Sequence, residues 1–594
     1  MAMSIDPIAL EVLWSRLLSV TNEQQAALMR TAFSTVVRES QDLACGVFDT
    51  AGNMIAQSET GTPGHINAMA TCMRHFMAAY PEASLEAGDV LITNDPWMTA
   101  GQINDITLVT PIFRDGRVVA YFANTCHMLD IGGRILSAEA REVFEEGLYI
   151  PITKLFQRGE RNEELFKIIR GNVRTPREVE GDLYAMASCN DVGGRQLLEF
   201  MREFKLDSVD SLAAAIIDRS EKATREAIGR LPDGVYENEV YSDGFETPVL
   251  LKATVTVDGD ELTVDHAGSS PQSRYGINVV MNYTHAYTSF AVKCAISPEV
   301  PHNEGSFRPV KVVAPAGCIL NAQHPAPVAA RHLIGHFLPG LIFGALARAM
   351  PDRLMADGAA SIWITMFRGA RPGGEPYTFM LFQCGGTGAR PTKDGLNNVG
   401  FPSGVAGVPA EVLESLSGLV VERREVRPDS GGAGEFRGGC GQLTTFADRS
   451  GQTWSMSGMY DRLKFPAQGL LGGKPGAAGS FALEDGRDAN PKELLFHPPF
   501  SRVETALPGG GGYGDPLERD PDAVLQDVLN GYVSIEAAAR EYGVVVRSTK
   551  RADEQVSLPR HFSVDMPSTA DLRRARSPHL PGPGQAASRR TPPG

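Results

Sequence analysis

The stretch that decides the fold is residues 105–127, which read DITLVTPIFRDGRVVAYFANTCH. Two apolar runs of strand length flank the dipeptide Asp115-Gly116, which favours a tight turn. The pattern therefore predicts an antiparallel hairpin. At its open end the first residue, Asp105, should lie beside the last residue, His127.

Helical and strand-like segments surround this hairpin. Apolar residues recur at helical spacing from Pro7 to about residue 37, with Asp6 as the N-cap, which predicts one long helix with a break allowed near Thr21. Further helices are predicted at residues 63–80, 177–231, 329–350 and 523–542, and further strands at residues 43–48, 53–56, 90–93 and 240–264. Blocks of strands and blocks of helices alternate irregularly, so the fold class is α+β.

The predicted architecture is a mixed multi-layer fold with a long N-terminal helix, antiparallel hairpins, a central helical block and a glycine-rich C-terminal region. Composition divides the chain into the regions 1–176 (α+β), 177–231 (helical), 232–430 (α+β), 431–545 (glycine-rich) and 546–594 (tail). The tail is rich in Arg, Pro, Ser and Gly and has few apolar residues to bury, so it is expected to be disordered.

Composition and charge exclude several classes of protein. The 594 residues are 42% apolar and 21% charged, as in ordinary globular proteins, and the net charge of −15 argues against a nucleic-acid partner. Residues 1–7 lack the basic segment and apolar run of a secretory signal, so none is expected, and no apolar run is long enough to span a membrane. Eight cysteines stand singly, with no Cys-x-x-Cys pair, which indicates reduced thiols and a cytoplasmic location.

The ends of the predicted hairpin carry the most suggestive polar residues. Asp105 and His127 would meet there, and Asp42, at the start of an earlier strand, would join them. Carboxylates and neutral imidazole are the usual ligands of Mn, Zn or Fe when thiolates are absent, so the set is a candidate metal site. The alternative is that Asp42 and Asp105 cap turns and that His127 is an ordinary strand histidine.

Other candidates carry weaker signals. His332 and His336 stand four apart in a predicted helix, but Leu333 lies where a zinc protease has its glutamate. The run from Gly509 to Gly512 could bind phosphate through its amides, although a structural turn fits it better. His65, at a predicted helix start, could face a cleft or help to cap the turn. The sequence shows no local signature of a serine or cysteine nucleophile.

A series of short motifs in chain order points to a known family. They are Glu39-Ser40-Gln41-Asp42, Asn94-Asp95-Pro96, the strand that begins at Asp105, His127 with Asp130-Ile131-Gly132-Gly133, Gly181-Asp182-Leu183, Asn303-Glu304-Gly305, Arg427-Pro428-Asp429-Ser430-Gly431-Gly432 and the run from Gly509 to Pro516. Over about residues 3–546 the chain resembles the hydantoinase B/oxoprolinase family. That family includes subunits of ATP-dependent hydantoinases, 5-oxoprolinases and caprolactamase, and related subunits of acetone and acetophenone carboxylases.

The resemblance implies a metal site made of Asp42, Gln102, Asp105 and His127. The family pattern Thr-His-x-x-Asp places a histidine three residues before the aspartate, and Gln102 takes that position here. An amide oxygen suits hard cations better than borderline ones such as Zn, so this departure bears on which metal binds. Asp130 is the candidate proton acceptor, and His65 is a second catalytic candidate.

The resemblance also implies a reaction and a partner. The chain would be the B-type subunit of an ATP-dependent hydrolase that opens hydantoin, N-methylhydantoin, 5-oxoproline or a similar cyclic amide. A hydantoinase A-type subunit would bind ATP and Mg, activate the carbonyl and form a hetero-oligomer with this chain. Two alternatives stay open at this point: a subunit of a ketone carboxylase, and a non-catalytic scaffold for the ATPase partner.

Overall fold

The computed structural model describes residues 6–360, 362–549 and 558–576. Helices in chain order are α1 (Pro7–Thr31), α2 (Thr35–Arg38), α3 (Pro63–Ala79), α4 (Glu163–Asn172), α5 (Pro176–Glu203), α6 (Asp210–Ile228), α7 (Met281–Ile296), α8 (Glu304–Phe307), α9 (His332–Gly335), α10 (Leu338–Leu346), α11 (Ala410–Leu416), α12 (Pro521–Leu529), α13 (Ile535–Tyr542) and α14 (Met566–Arg576). Short 3-10 turns lie at Glu82–Ser84, Val143–Glu145, Pro516–Glu518 and Pro559–His561.

The strands form several separate sheets. They are β1 (Leu43–Phe48), β2 (Met54–Gln57), β3 (Val90–Thr93), β4 (Asp105–Arg114), β5 (Arg117–His127), β6 (Thr153–Gln157), β7 (Glu160–Arg161), β8 (Gly234–Ser242), β9 (Val249–Asp258), β10 (Glu261–Asp265), β11 (Val310–Val313), β12 (Trp363–Ala370), β13 (Pro376–Gln383), β14 (Leu419–Val426), β15 (Gln442–Asp448), β16 (Trp454–Met459), β17 (Ser480–Leu483), β18 (Leu494–His497), β19 (Arg502–Ala506), β20 (Val546–Ser548) and β21 (Phe562–Val564). The fold is α+β, as the sequence predicted.

A seven-stranded antiparallel sheet organises the N-terminal part, in the order β2-β1-β5-β4-β3-β6-β7. The predicted hairpin forms its middle, and Asp105 lies directly opposite His127. Leu43 of β1 lies opposite Cys126 of β5, so Asp42, which precedes β1, reaches the same end of the sheet. The pairing of these strands therefore confirms that the three residues share one end of the sheet.

Alternation along the strands decides which face these residues occupy. Ile106 and Cys126 pack in the core beneath α5, whereas Val109 and Ala123 pack against α3. Because side chains alternate between faces with a period of two, Asp105 and His127 fall on the α3 face. The buried sheet is thus covered by helices on both sides, and its polar corner faces α3.

Helices α1 and α5 cover the face opposite α3. Asp6 caps α1 by accepting from the amides of Ile8 and Ala9, both at 3.1 Å. Contrary to the break allowed near Thr21, α1 is continuous to Thr31, and the Thr21 hydroxyl donates to the carbonyl of Leu18 at 2.8 Å within it. The predicted helix is interrupted later, at residues 32–34 before α2. In α5 a Cβ on Gly193 would lie 2.5 Å from the ring of Phe122, so only glycine lets this helix approach β5 so closely.

The largest apolar core lies behind α3, around α7, α10 and the four-stranded sheet β11-β10-β9-β8. The helix predicted at residues 329–350 is two helices, α9 and α10, separated at His336 and Phe337. Pro339 lies in the first turn of α10, where its missing N–H costs no helical hydrogen bond. The short α9 presents its preceding residue, Arg331, towards the N-terminal sheet.

The C-terminal part contains two further four-stranded sheets, β13-β12-β16-β18 and β14-β15-β19-β17. Glycine-rich loops pack backbone against backbone beside them. The amides of Gly509, Gly510, Gly511 and Gly512 donate to the carbonyls of Ala477, Gly439, Asp357 and Lys474 at 2.8 to 3.1 Å. These amides are therefore already bonded within the fold, which confirms the structural interpretation of the run and not a phosphate-binding loop.

The tail differs from its prediction wherever the structure describes it. Strand β20 pairs with β21, and Val546, Phe562 and Val564 pack on α12 and α13. Helix α14 follows, and its Arg573 donates to the carbonyl of Tyr542 at 3.0 Å. The expectation of disorder was wrong for these segments, because a few apolar residues suffice when an existing core receives them. Residues 550–557 and 577–594 lie outside the described residues.

Within the described residues, no helix is long and apolar enough to cross a membrane. The eight cysteines are free thiols, and all are buried except the half-buried Cys294.

Candidate functional site

The open end of the β4–β5 hairpin holds a fully buried carboxylate. Asp105 has no exposed surface, and His127 and Gln102 are nearly as buried. Oδ1 of Asp105 lies 2.8 Å from Nδ1 of His127 and 2.9 Å from Nε2 of Gln102. Nε2 of Gln102 lies in turn 2.7 Å from Nδ1 of His127. The three side chains thus form a triangle of polar atoms in mutual contact.

Hydrogen bonds alone do not satisfy this triangle. If the amide of Gln102 donates to both neighbours, the lone pairs of Asp105 and His127 face each other at 2.8 Å. If Nδ1 of His127 carries a proton instead, it faces an N–H of Gln102. Turning the amide over places its oxygen against the carboxylate oxygen. With Asp105 ionised, one contact is repulsive in every arrangement, as expected where ligand atoms surround a cation.

His65 and Asp42 extend the cluster towards α3. Thr62, the residue before α3, donates its hydroxyl to Oδ1 of Asp42 at 2.8 Å. Pro63 begins the helix, and two residues later His65 turns back to the sheet, where its Nε2 lies 3.0 Å from Oδ2 of Asp105. Its Nδ1 lies 3.6 Å from Asp42 and is buried without a hydrogen-bond partner. The imidazole is therefore held between two carboxylates.

Arg331 supplies a cation from a distant part of the chain. It is almost completely buried, and its guanidinium is paired with Oδ2 of Asp105 and donates through Nε to the carbonyl of Ala100 at 2.5 Å. The same guanidinium stacks over the ring of Tyr283, 4.2 Å from the ring centre. Oδ2 of Asp105 is thus paired with both Arg331 and His65, which offsets part of the cost of burying its charge.

These contacts set the proton affinities in the cluster. Burial alone would raise the pKa of Asp105, but Arg331, His65 and His127 outweigh burial and hold that pKa well below its usual range. Burial alone would lower the pKa of His65, yet the carboxylates of Asp105 and Asp42 raise it above its ordinary value. The cluster is therefore a charged network and not a neutral one.

A divalent cation fits the triangle. Octahedral ligands at about 2.1 Å from a metal are about 2.9 Å from each other, and the edges here are 2.7, 2.9 and 2.8 Å. With the Gln102 amide turned so that its buried and unpartnered Oε1 points inward, an oxygen of Gln102, an oxygen of Asp105 and Nδ1 of His127 would all direct lone pairs to one point. Asp42 lies further out, beside His65. In the described residues no three His, Cys, Asp or Glu side chains form such a set, so the amide is essential to it.

Asp130 is not part of the cluster. Its carboxylate pairs with the guanidinium of Arg174 at 2.8 Å and accepts from the amides of Arg174 and Gly132. These bonds fix the loop that follows His127. The structure thus brings together five of the six candidate site residues and places the sixth in a supporting loop.

His332 and His336 do not point to a metal site of their own. Their ring centres are 5.7 Å apart. Nε2 of His336 lies 3.0 Å from the hydroxyl of Tyr287 and 3.3 Å from that of Tyr283. Burial, together with the nearby Arg331, lowers the pKa of His336 to about 3, so the ring is neutral.

Sequence reasoning missed Arg331, which lies 226 residues from Asp105. One signal was present: a single arginine interrupts a long apolar segment, and a buried charge needs a partner of opposite charge. The sequence did not show which carboxylate that partner would be.

A second buried carboxylate supports the segment that presents Arg331. Oε1 of Glu146 accepts from the amides of Val328 and Ala329 at 2.6 and 2.9 Å, while Oε2 is buried without a hydrogen-bond partner. Burial raises the pKa of Glu146 to about 8 despite these two amides. Its protonated form is therefore the one that the fold favours.

The sequence profile of the Hydantoinase B/oxoprolinase family matches residues 6–516. The caprolactamase subunit beta of Pseudomonas jessenii is 31% identical, over 93% of this chain and 98% of that protein. The 5-oxoprolinase of Saccharomyces cerevisiae is 25% identical over 86% of this chain, but the match covers 42% of the yeast protein.

Two solved structures share the fold. The crystal structure of the ATP-dependent caprolactamase from Pseudomonas jessenii superimposes with a TM-score of 0.86 at 29% identity, over 96% of this chain and 100% of that one. A nucleotide-free structure of acetone carboxylase superimposes with a TM-score of 0.83 at 21% identity, over 96% of this chain and 83% of that one. The second likeness shows the architecture alone.

Replacement of Glu146 tests the support of the Arg331 segment. The unfolded carboxyl has a pKa near 4.5 and the folded one a pKa of about 8, so the stabilising effect of the bound proton is complete below the lower value and is lost as the pH rises through the higher one. Glu146→Gln stays neutral at every pH. We expect wild type to lose stability relative to this variant between pH 5 and 8, by up to about 1.4 kcal/mol per pH unit. Thermal unfolding of both proteins across this pH range measures the difference in stability.

The matched control is Glu142→Gln, a nearby glutamate that is exposed. Its stability should follow that of wild type at every pH. Parallel pH profiles of wild type and Glu146→Gln would contradict the assignment of a raised pKa to Glu146.

Proposed function

The chain belongs to the hydantoinase B/oxoprolinase family, and from this premise we propose that it is the B-type subunit of an ATP-dependent hydrolase that opens a cyclic amide. The substrate class is hydantoin, N-methylhydantoin, 5-oxoproline or a related lactam. The observation that carries the proposal is the buried triangle of Gln102, Asp105 and His127. With the Gln102 amide turned, its lone pairs would converge on one point beside a histidine and an arginine, an arrangement suited to activating water or a carbonyl.

The proposal includes an A-type ATPase partner in a cytoplasmic hetero-oligomer. The caprolactamase relative is named as a subunit beta, and the caprolactamase structure is described as ATP-dependent. The glycine run of this chain uses its own amides within the fold and leaves none for a nucleotide. In this proposal the partner binds ATP and Mg²⁺ and transfers a phosphoryl group to the carbonyl oxygen of the amide.

The chemistry assigned to this chain follows that transfer. Water adds to the activated carbon, the ring C–N bond breaks, and the departing nitrogen takes a proton. The acyl phosphate that remains takes a second water and releases inorganic phosphate. All the cluster residues are buried, so the site excludes bulk water and strengthens every electrostatic contact in it.

The proposed cofactor is a divalent cation, Mn, Zn or Fe, held by Gln102, Asp105 and His127, with Asp42 nearby. When bound, it would supply Lewis acidity and lower the pKa of a ligated water. Among the protein groups, Arg331 holds Asp105 in place through a buried ion pair. We assign proton transfer to His65, whose Nδ1 has no hydrogen-bond partner, and not to Asp130, whose carboxylate is engaged by Arg174.

Metal content tests the cofactor proposal independently of activity. Purified chain dialysed against Mn²⁺ and then against metal-free buffer should retain about one ion per chain. Gln102→His exchanges an amide oxygen for imidazole and should shift the preference towards Zn²⁺. Asp105→Asn should retain much less metal of either kind. Elemental analysis gives the metal content of each protein.

Gln323→His is the matched control, since it adds an imidazole at an exposed position. It should leave the retained metal unchanged. If wild type and Gln102→His both retained no Mn²⁺, Zn²⁺ or Fe²⁺, the cofactor proposal would fail.

Turnover tests the reaction itself. The chain, purified with a co-expressed A-type subunit, should hydrolyse ATP in response to a hydantoin, 5-oxoproline or a lactam without bicarbonate. Asp105→Asn should lower formation of the ring-opened product by at least about a hundredfold, a typical effect of removing a group that stabilises charge in the transition state. Assays of ADP and of ring-opened product give the two rates.

The rival functions have their own signatures. Stimulation of ATP hydrolysis by a ketone only in the presence of bicarbonate would identify a carboxylase subunit. Unchanged ring opening in Asp105→Asn would identify a scaffold for the partner's ATPase. Asp191→Asn, at an exposed position, is the control for the loss of an aspartate in the ring-opening assay.

A further inference from the structure

A cavity borders the loop that follows His127. It has a volume of about 590 Å³, a size typical of small-molecule sites. Its walls come from the start of α2, the start of α5, Leu129 and strand β13. Four arginines line it: Arg38, Arg174, Arg177 and Arg371. Glu178 is the one acidic side chain in its lining, although the chain carries a net charge of −15.

The arginines are held to different degrees. Arg174 is fixed on Asp130. Arg38 pairs with Glu39, and Arg371 lies 3.6 Å from Glu375, but both pairs are solvent-exposed. Exposed pairs of this kind are weak because solvent screens them, so their guanidinium groups can turn to another anion at little cost. Arg177 has no ion pair with any residue that the structure describes.

The start of α5 adds polar donors to the same cavity. Thr175, Pro176 and Arg177 line it at the first turn of this long helix. Thr175 precedes the helix without capping it, and its buried hydroxyl has no hydrogen-bond partner among the residues that the structure describes. The amides of a first helical turn have no acceptor within the helix and attract anions. Hydroxyl, amides and guanidinium groups together match the oxygens of a phosphate group.

Two chain segments that line the cavity continue into the buried cluster. Leu129 follows His127 by two residues, and the neighbouring Asp130 is bound to Arg174. On another side, Arg38 ends α2, and Asp42 follows four residues later. An anion held by the arginines would thus lie against both chain segments that carry cluster residues.

We propose that this arginine-lined cavity binds the phosphate group of the activated substrate that arrives from the ATPase partner. The ligand class is an organic phosphate monoester of small size, and the half-exposed ring of Phe33 in the cavity wall suits its organic part. The identification of the ligand as the activated substrate rests on the proposed function. The prediction that the cavity binds a phosphate monoester is independent of the proposed function.

The first test is binding of phenyl phosphate to the full chain, measured by calorimetry. Wild type should bind it, and the double variant Arg177→Gln/Arg371→Gln should bind it at least about tenfold more weakly, because two charged donors to the phosphate are lost. Arg195→Gln is the matched control, because Arg195 lies on the same helix and is exposed in a pair with Asp191. It should bind phenyl phosphate as wild type does.

The second test uses the complex with the A-type subunit. The double variant should still hydrolyse ATP when substrate is added, but should form fewer ring-opened molecules for each ADP, because activated substrate is lost before it reaches the cluster. Arg195→Gln should keep the wild-type ratio. Equal ratios in all three proteins would overturn the assignment of the activated substrate.

The outcomes separate this inference from the proposed function. If no cyclic amide stimulates ATP hydrolysis but the double variant loses phenyl phosphate binding, the anion site stands and the proposed reaction fails. If cyclic amides turn over but wild type does not bind phenyl phosphate, the anion site is wrong. Loss of complex formation in the double variant, with no phosphate binding in wild type, would identify the cavity as a contact with the partner protein instead.

Discussion

The carboxylate of Asp105 is ionised and has no contact with solvent, and that constraint shapes everything around it. A lone charge in such a place would cost several kcal/mol, so the fold must surround both oxygens with compensating polar or charged groups. Arg331 and His65 contact Oδ2 of this carboxylate, and Gln102 and His127 contact Oδ1. They come from the sheet, from α3 and from the segment before α9, so one carboxylate ties the N-terminal sheet to the helical layers behind it.

The sequence was informative where structure is local. Two apolar runs around Asp115-Gly116 predicted the hairpin that joins Asp105 and His127, because a short turn fixes the register of its strands. Contacts between distant segments were not predictable: nothing near Arg331 in sequence indicates Asp105. The order of the tail was also missed, since its few apolar residues gain burial only from a core built by α12 and α13. Asp130 looked like a site residue because it follows His127, but its partner Arg174 lies 44 residues further on.

The arrangement of the buried cluster suits a reaction whose two steps, activation and ring opening, take place on different subunits. The cluster is sealed from water, and its polar atoms converge on one point, which favours chemistry on a substrate activated elsewhere. The arginine-lined cavity borders the loop that follows His127. In this account an anionic intermediate would be held in that cavity before reaction. In this account the ATPase partner supplies the activation, and this chain supplies the enclosed, charged environment in which the ring opens.

The dependence of the site on the buried ion pair is tested most directly by a double-mutant cycle on Arg331 and Asp105. Arg331→Met should lower the midpoint of thermal unfolding strongly, since loss of one partner of a buried pair costs about 3 kcal/mol or more. Adding Asp105→Asn should raise the midpoint again, because the unpaired charge is then gone. The exposed pair of Arg502 and Glu422 provides the control cycle, with small and additive shifts. Additive losses at Arg331 and Asp105 would contradict the account, because the two side chains would then not stabilise each other.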